Sequence, residues 1–468
     1  MKAAIATSDP RATEAGVEIL KSGGNAVDAA VTAAFLLYVV EPQSCGIGGD
    51  AFLMIGRDSE TPIALDGSGA LPVELTSSRL LEDGLDAVPA RGGKTATPPG
   101  ATRLLEEALA RFGTISLRDA VSPARSVARN GFVVHADLAA ASQRAAKELA
   151  SDPVLGPLYS PDGKGVDEGV LITNPGLSEC LETIADLGSN VVLEGAIANQ
   201  IVDFVRADGG YLSDTDLKHH RTLEITAENL EFSGYSIWQL PAPTQGPAVL
   251  HALRHIKEHE RWDWNSVLLA VRQGMQDAGF DPGAVVSTSR NHAKGDTTYL
   301  AVIDEDRTAV SLITSIFGDF GSHLGIPAIG GPIHNRATTL RMLQQPPRPG
   351  KPPHTTIPGL ALDNEGNQIA FGVAGGLMQP QAQVQLLIRM LLEGLGPQDA
   401  IDAPRFKICF GGSLAIENGH ELAKYQPDAL AQPAGPEGFG AAQIVQSVNG
   451  RLFAGADRRR GGASRVLP

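Results

Sequence analysis

The sequence predicts an α+β protein, arranged as one large layered unit or as two lobes. Two observations carry this. Before Gly295 the apolar residues recur mainly at helical spacing, whereas after it they alternate at strand spacing around polar turns. With 468 residues, the chain also exceeds what one simple core usually serves.

The elements follow in order. "SDPRATEAGVEILKSGGNAVDAAVTAAFLLYVVEP" predicts two helices: Ser8 or Asp9 caps the first with Pro10 in its first turn, Gly23 and Gly24 end it, and Asn25 caps the second. The apolar run after Asn25 is too short for a membrane span and carries Asp28, so a buried core helix is expected. "SCGIGGDAFLMIGR" turns through Gly46, Gly48 and Gly49 into a strand, but no Lys-Ser/Thr follows and the spacing is not that of a phosphate loop. "GATRLLEEALARFG" and "AAASQRAAKELASD" read as helical, separated by Pro and Gly clusters. "TTYLAVID" and "TAVSLITSI" form strands about a polar turn, and "GLALDNEGNQIAFGVAGG" carries a second hairpin signal. Between these hairpins lies the irregular, proline-rich "QQPPRPGKPPHTTIPG".

Composition narrows the function. A content of 43% hydrophobic and 19% charged residues is that of a globular enzyme, and a formal charge of −15 argues against nucleic-acid and anionic-membrane partners. Cys45, Cys180 and Cys409 are odd in number and far apart, which fits a reducing, cytoplasmic setting and indicates neither a disulfide framework nor a zinc site. His251, His255 and His259 share one helix face, as a metal site requires. No carboxylate or cysteine ligand is evident beside them, and a half-solvated amphipathic helix explains them as well.

The hydroxyl pair after Gly295-Asp296 is the remaining feature. No GxSxG elbow or other sign of a serine triad accompanies it. Thr297 is either a plain strand start or an N-terminal nucleophile. In the second case, cleavage before it would free an α-amine, titrating near 7.7–8.0, to act as base for its own hydroxyl.

"SDPRATEAGVEILKSGGNAVDAAVTAAFLLYVVEPQSCGIGGDAF", "PTQGPAVLHAL", "GDTTYLAVIDEDRTAVS", "GVAGGLMQPQAQVQ", "DAPRF" and "GFGAAQIV" occur in an order that resembles the γ-glutamyltranspeptidase family of N-terminal-nucleophile hydrolases over nearly the whole chain. The resemblance implies a four-layer αββα sandwich, made as one precursor that cleaves itself between Asp296 and Thr297. Residues 1–296 would then form a large subunit and 297–468 a small one, in one intertwined unit. By position, Thr297 corresponds to the nucleophile and Ser315 to the second hydroxyl that supports it. Thr355 and Thr356 fall where the family has a serine pair of the oxyanion site, and Gly375 and Gly376 match its paired oxyanion glycines.

Departures from the family are equally informative. Where transpeptidases hold a γ-glutamyl head group with Arg, Asn and Asp, this chain has Ser68, Phe317 and Thr338 or Thr339. Ser68, Phe317, His334, Arg336 and His354 are the candidates for the acyl pocket, with the His and Arg side chains available to a smaller acidic acyl group. "GGLMQPQ" is closer to the amidohydrolase and acylase branches than to "SPGGSRI" of the transpeptidases. The expected activity is hydrolysis of a small non-glutamyl amide without metal or organic cofactor. A γ-glutamyltransferase with an altered pocket and a non-catalytic scaffold are the alternatives, and a homo-oligomer is compatible with either.

Overall fold

A computed structural model describes residues 2–57, 60–259, 261–280, 295–434 and 438–468, with the backbone alone for 295 and 296. Numbering only the strands of the two main sheets and their principal covering helices, the order is β1 (Ala3–Thr7), α1 (Pro10–Lys21), α2 (Ala26–Val40), β2 (Asp50–Arg57), β3 (Ile63–Asp66), α3 (Ala101–Phe112), β4 (Leu223–Ile225), β5 (Glu228–Phe232), β6 (Tyr235–Gln239), α4 (Gly246–Lys257), α5 (Trp264–Asp277), β7 (Gly295–Ile303), β8 (Thr308–Gly318), β9 (Pro358–Leu362), β10 (Gln368–Ala374), α6 (Met378–Leu391), β11 (Ala441–Val448), β12 (Arg451–Ala456) and β13 (Ala463–Leu467).

The helix signals resolve as the local chemistry dictates. Asp9 caps α1, accepting from the Arg11 N–H, with Pro10 at its first position. Asn25 caps α2 in a reciprocal box: its side chain accepts from the N–H of Val27 and Asp28, while Asp28 accepts from the N–H of Asn25 at 2.8 Å. Every residue of α2 is buried, so this apolar run is a core helix, and none of the described helices is long and apolar enough to cross a membrane.

Two wholly antiparallel sheets stack face to face. The first has the order β13-β1-β7-β8-β2-β3-β4 and the second β12-β11-β10-β9-β6-β5. Strand alternation decides which residues go where. In β7, Leu300 and Val302 face the helical layer containing α1, α2 and α3, whereas Tyr299, Ala301 and Ile303 face the second sheet. In β10, Ile369, Phe371 and Val373 face α4, α5 and α6, whereas Ala370 enters the space between sheets. The result is a four-layer αββα sandwich with three apolar interlayers. Each sheet takes strands from both sides of residue 296.

The middle interlayer is lined largely by small residues and pinned by polar contacts. The Tyr299 hydroxyl and Ser311 Oγ lie 2.7 Å apart, and Ser311 Oγ accepts from the Gly359 N–H of the opposite sheet at 3.1 Å. Gly372 makes room for the Tyr299 ring, because a Cβ there would lie 2.3 Å from Tyr299 Cδ2. Gly372→Ala is therefore expected to destabilise the fold by about 1–3 kcal/mol through overpacking, measured as a lower unfolding midpoint with unchanged far-ultraviolet circular dichroism.

Candidate active site

In an antiparallel sheet, alternate strands begin and end at the same edge. At one edge of the first sheet β7 and β2 begin while β8 and β3 end, which brings Thr297, Asp50, Ser315 and Asp66 into one row. Each continues the side of its strand that faces the second sheet, in step with Tyr299, Phe52, Ile313 and Ala64. All four are buried, and together they line the mouth of the inter-sheet space.

A bulge sets the contact between the two hydroxyls. Thr314 pairs with Thr298 and Phe317 pairs with Asp296, so Ser315 and Ile316 together stand opposite Thr297 alone. Thr297 Oγ1 and Ser315 Oγ are 3.2 Å apart. Ser315 Oγ also accepts from the Phe317 N–H at 2.9 Å, and Phe317 adopts a left-handed backbone with φ 76°. That conformation costs a non-glycine residue on the order of 1–2 kcal/mol and persists only where its surroundings enforce it. On the reverse face of β7, Thr298 donates to Glu41 Oε2 at 2.5 Å, and Ser8 donates to the same oxygen at 2.9 Å. The strand start is thus held from both faces.

A buried ion pair braces the row. Arg336 donates through Nε and Nη2 to the two oxygens of Asp50, each at 2.7 Å, and both side chains are essentially inaccessible. Burial alone would raise the Asp50 carboxyl, but Arg336 and the neighbouring His334 overcome this and hold it down at about 2. The Arg336 guanidinium lies 5.2 Å from the Phe317 ring centroid. His334 Nε2 donates to the Thr97 carbonyl at 2.8 Å, while its Nδ1 is 3.7 Å from Asp50. Asn335 completes the lacing: its Oδ1 accepts from Gly318 N–H at 3.0 Å, and its own N–H donates to the Ile316 carbonyl at 3.2 Å.

The second sheet supplies the other wall from the matching ends of β9 and β10. Thr355 bridges to Thr244, and Thr355 N–H donates to Pro243. Thr355 and Thr356 are buried, and Thr356 Oγ1 has no protein partner among the described residues. Gly375 and Gly376 follow β10 with φ 135° and 59°, a turn that suits glycine and leads into the positive end of α6. Gln379 in the first turn of α6 ties the two segments together, its Oε1 accepting from the Ile357 N–H at 3.1 Å.

Among the acyl-pocket candidates the structure makes distinctions that the sequence did not. Arg336 uses two donors on Asp50, so the free cation expected for an acidic acyl group is instead half of an internal pair. Ser68 Oγ donates to Asp66 at 2.6 Å. Burial raises the Asp66 carboxyl, partly offset by Ser68. The Thr338 and Thr339 hydroxyls donate to the carbonyls of Pro89 and Arg336. His354 is buried, donates from Nδ1 to the Pro243 carbonyl at 2.9 Å, and packs on Phe280 with ring centroids 4.0 Å apart. His251 and His255 lie on α4, where sequence reading found no carboxylate beside them. Asp277 of α5 fills that place, 2.8 Å from His255 Nε2, and among the described residues no group of three or more ligating side chains is placed to hold a metal. Asp50 and Gln379 were missed as site residues. An acidic residue opening the apolar strand "DAFLMIG" was the one available signal for Asp50.

Asp50→Asn would leave the Arg336 guanidinium buried without its counter-ion, at an expected cost of about 3–5 kcal/mol in denaturant unfolding at pH 7. An unfolded Asp titrates near 3.9, so the depressed folded value makes this contribution complete above about pH 4 and lost as pH falls through about 2. The variant should therefore lose less stability than the wild type over that interval.

Comparison with known proteins agrees with this architecture. The family model for gamma-glutamyltranspeptidase matches residues 12–278 and 266–467. The chain is 30% identical over 439 residues to the glutathione hydrolase-like YwrD proenzyme of Bacillus subtilis, covering 84% of this chain and 83% of that one. It is 28% identical over 520 residues to the oxamate amidohydrolase proenzyme of Klebsiella pneumoniae, covering 97% and 96%. The cephalosporin acylase of Bacillus halodurans superposes with a TM-score of 0.87 at 29% identity, over 99% of this chain and 95% of that one. By sequence match and by fold, the chain belongs to the γ-glutamyltranspeptidase family of N-terminal-nucleophile hydrolases.

Proposed function

We propose that the protein is a self-processing N-terminal-threonine amidohydrolase acting on a small amide that is not γ-glutamyl. The observation that carries this is the buried Thr297 Oγ1 set 3.2 Å from Ser315 Oγ by a bulge at the mouth between the sheets. Relatives named as proenzymes support processing, and relatives named for oxamate and acylase activities support a pocket that varies within the family.

In this reading the Asp296–Thr297 bond is hydrolysed first: the Asp296 acyl group passes from the amide nitrogen to Thr297 Oγ1, and water then cleaves that ester, leaving the Asp296 carboxylate on subunit 1–296 and the free α-amine and hydroxyl of Thr297 on subunit 297–468. The freed α-amine then accepts the Thr297 hydroxyl proton as Oγ1 attacks the substrate carbonyl. Charge on the carbonyl oxygen is met by the N–H groups of Gly375 and Gly376 and by a hydroxyl of the Thr355–Thr356 pair. One such donor is typically worth about 2.7–4 kcal/mol in the barrier. Collapse breaks the C–N bond, and the ammonium returns its proton to the leaving amine. Water then attacks the acyl-threonine ester, the amine taking its proton and restoring the Thr297 hydroxyl. Ser315 positions Oγ1 throughout.

The competing γ-glutamyltransferase reading rests on relatives named as glutathione hydrolases. It needs partners for a carboxylate and an ammonium, but Ser68, Phe317, Thr338 and Thr339 offer no charge, and leaving buried charges unpaired costs several kcal/mol.

Intact-mass analysis after incubation at mildly alkaline pH should show wild-type chains ending at Asp296 and beginning at Thr297, with Thr297→Ala remaining at 48.9 kDa. An uncleaved, inactive wild type under all conditions would overturn the proposal. Ser315→Ala is expected to slow cleavage about tenfold or more, the loss of one well-placed hydrogen bond, followed by the time course of the same mass shift. For the processed enzyme, kcat/KM should rise with pH through roughly 8 as the α-amine loses its proton.

A further inference from the structure

In the amidohydrolase reading, cleavage turns Thr297 into the first residue of β7, and that part of the strand is held by its sheet on one flank. Among the described residues β1 pairs with β7 only over Ala301–Ile303, so residues 297–300 have β8 alone as partner strand. On that flank the ladder runs through Thr314 and Thr298, then jumps across the bulge to Phe317 and Asp296. In the uncut chain, the pairs of Asp296 and Gly295 with Phe317 and Gly318 hold the strand beyond Thr297. Cleavage severs Thr297 from them, and a free strand end frays unless something ties it down.

The turn after α2 supplies a tie. Glu41 ends that helix and is buried together with Ser8 and Thr298. Its Oε2 accepts from Thr298 Oγ1 at 2.5 Å and from Ser8 Oγ at 2.9 Å. Hydroxyls donating to a carboxylate make short, charge-assisted bonds, roughly twice as strong as neutral ones. The main chain of the same turn grips the other hydroxyl strand. The Glu41 carbonyl accepts from the N–H groups of Ser44 and Cys45 at 2.9 and 3.1 Å, and the Ser44 carbonyl accepts from the Ile316 N–H at 3.0 Å, inside the bulge. Residues 41–45 therefore hold the neighbour of Thr297 through a side chain and the neighbour of Ser315 through a backbone bond. Strand alternation puts Thr298 on the face opposite Thr297, so Glu41 acts from the helical side, away from the mouth between the sheets.

We infer that Glu41 is a positioning residue of the processed enzyme: through Thr298 it keeps the new end of β7 docked, and so keeps Thr297 in register with Ser315 once the link to Asp296 is gone. This rests on the amidohydrolase reading and assigns the residue that holds its nucleophile. The uncut chain restrains Thr297 from both sides, so the tether matters less for self-cleavage than for turnover. A hydrogen bond to a charged group shifts an equilibrium by about 10–100-fold, which sets the scale of the effect on docked strand ends.

The test separates the two reactions. Thr298→Val keeps the branched shape and loses the hydroxyl. Its self-cleavage, followed by intact mass, should stay within about threefold of the wild-type rate, because the continuous chain still places Thr297. Turnover of the processed protein is read with acetyl, succinyl and glutaryl p-nitroanilides. There kcat should fall by about tenfold or more while KM changes by less than about threefold, as expected when a fraction of nucleophiles is undocked. Thr298→Ser, which restores the hydroxyl, should recover most of the loss, and adding Glu41→Gln to Thr298→Val should cost little more, since one contact is shared. Equal losses in both reactions, an unchanged kcat, or no recovery with serine overturns the inference. Hydrogen exchange reads the tether without any chemistry. In the Thr297→Ala chain, which lacks the nucleophile, adding Thr298→Val should speed exchange at residues 298–300 by about threefold or more. Unchanged exchange there also overturns the inference. A wild type that neither cuts itself nor hydrolyses any of the anilides fails the amidohydrolase reading and the positioning role with it, while the exchange result still shows whether the tether holds the strand.

Discussion

The buried pair of Asp50 and Arg336 is the interaction on which the site depends. Arg336 comes from a segment far along the chain, and its carboxylate partner is the first residue of a central strand. Around that anchor, His334 N–H reaches the Gly48 carbonyl, Asn335 bonds to Ile316 and Gly318, and Ala337 N–H bonds to the Thr95 carbonyl. Removing two charges from water is expensive, and an apolar replacement of similar volume often serves stability as well. What the pair supplies that an apolar contact would not is direction: a bidentate fork fixes the guanidinium plane, and that plane sits against the ring of Phe317, whose backbone is in a strained region.

The strain has a positional consequence. Phe317 closes the bulge that sets Ser315 opposite Thr297, and its N–H bonds back to Ser315 Oγ. A regular ladder would let the side chains of β8 alternate without interruption. One extra residue instead lets the strand keep Ser315 facing the second sheet and still turn away immediately afterwards. The two hydroxyls then meet at 3.2 Å without either strand leaving its sheet. Glu41 holds Thr298 from the helical side, so the strand start is anchored one residue beyond Thr297. That anchor matters most if the chain is cut there, since a free strand end otherwise frays.

Much of this was legible in the sequence, and the limits were physical. Caps at Asp9 and Asn25, the buried helix after Asn25 and the hairpins after Gly295 follow from contacts within a few residues, which local chemistry determines. The family resemblance supplied the sandwich and the positions of Thr297, Ser315 and the glycine pair. It could not supply the state of Arg336, because Asp50 lies 286 residues away and becomes its partner only through the sheet. For the same reason His255 showed no carboxylate neighbour until α5 packed against α4 and brought Asp277 to it.

Charge at the mouth and charge on the whole molecule point the same way. The chain carries a formal −15, so its long-range field concentrates cations and thins out anions near the surface. A site selecting an acidic acyl group would need a local cation strong enough to reverse that bias. Among the described residues, the cation placed at this mouth, Arg336, is bound at 2.7 Å by Asp50 on two donors. Asp66 adds another buried carboxyl beside it, whose raised pKa reflects an environment that favours its neutral form relative to water. A neutral polar acyl group meets none of this opposition. It pays no Coulomb penalty on approach and leaves no charge stranded in the interlayer.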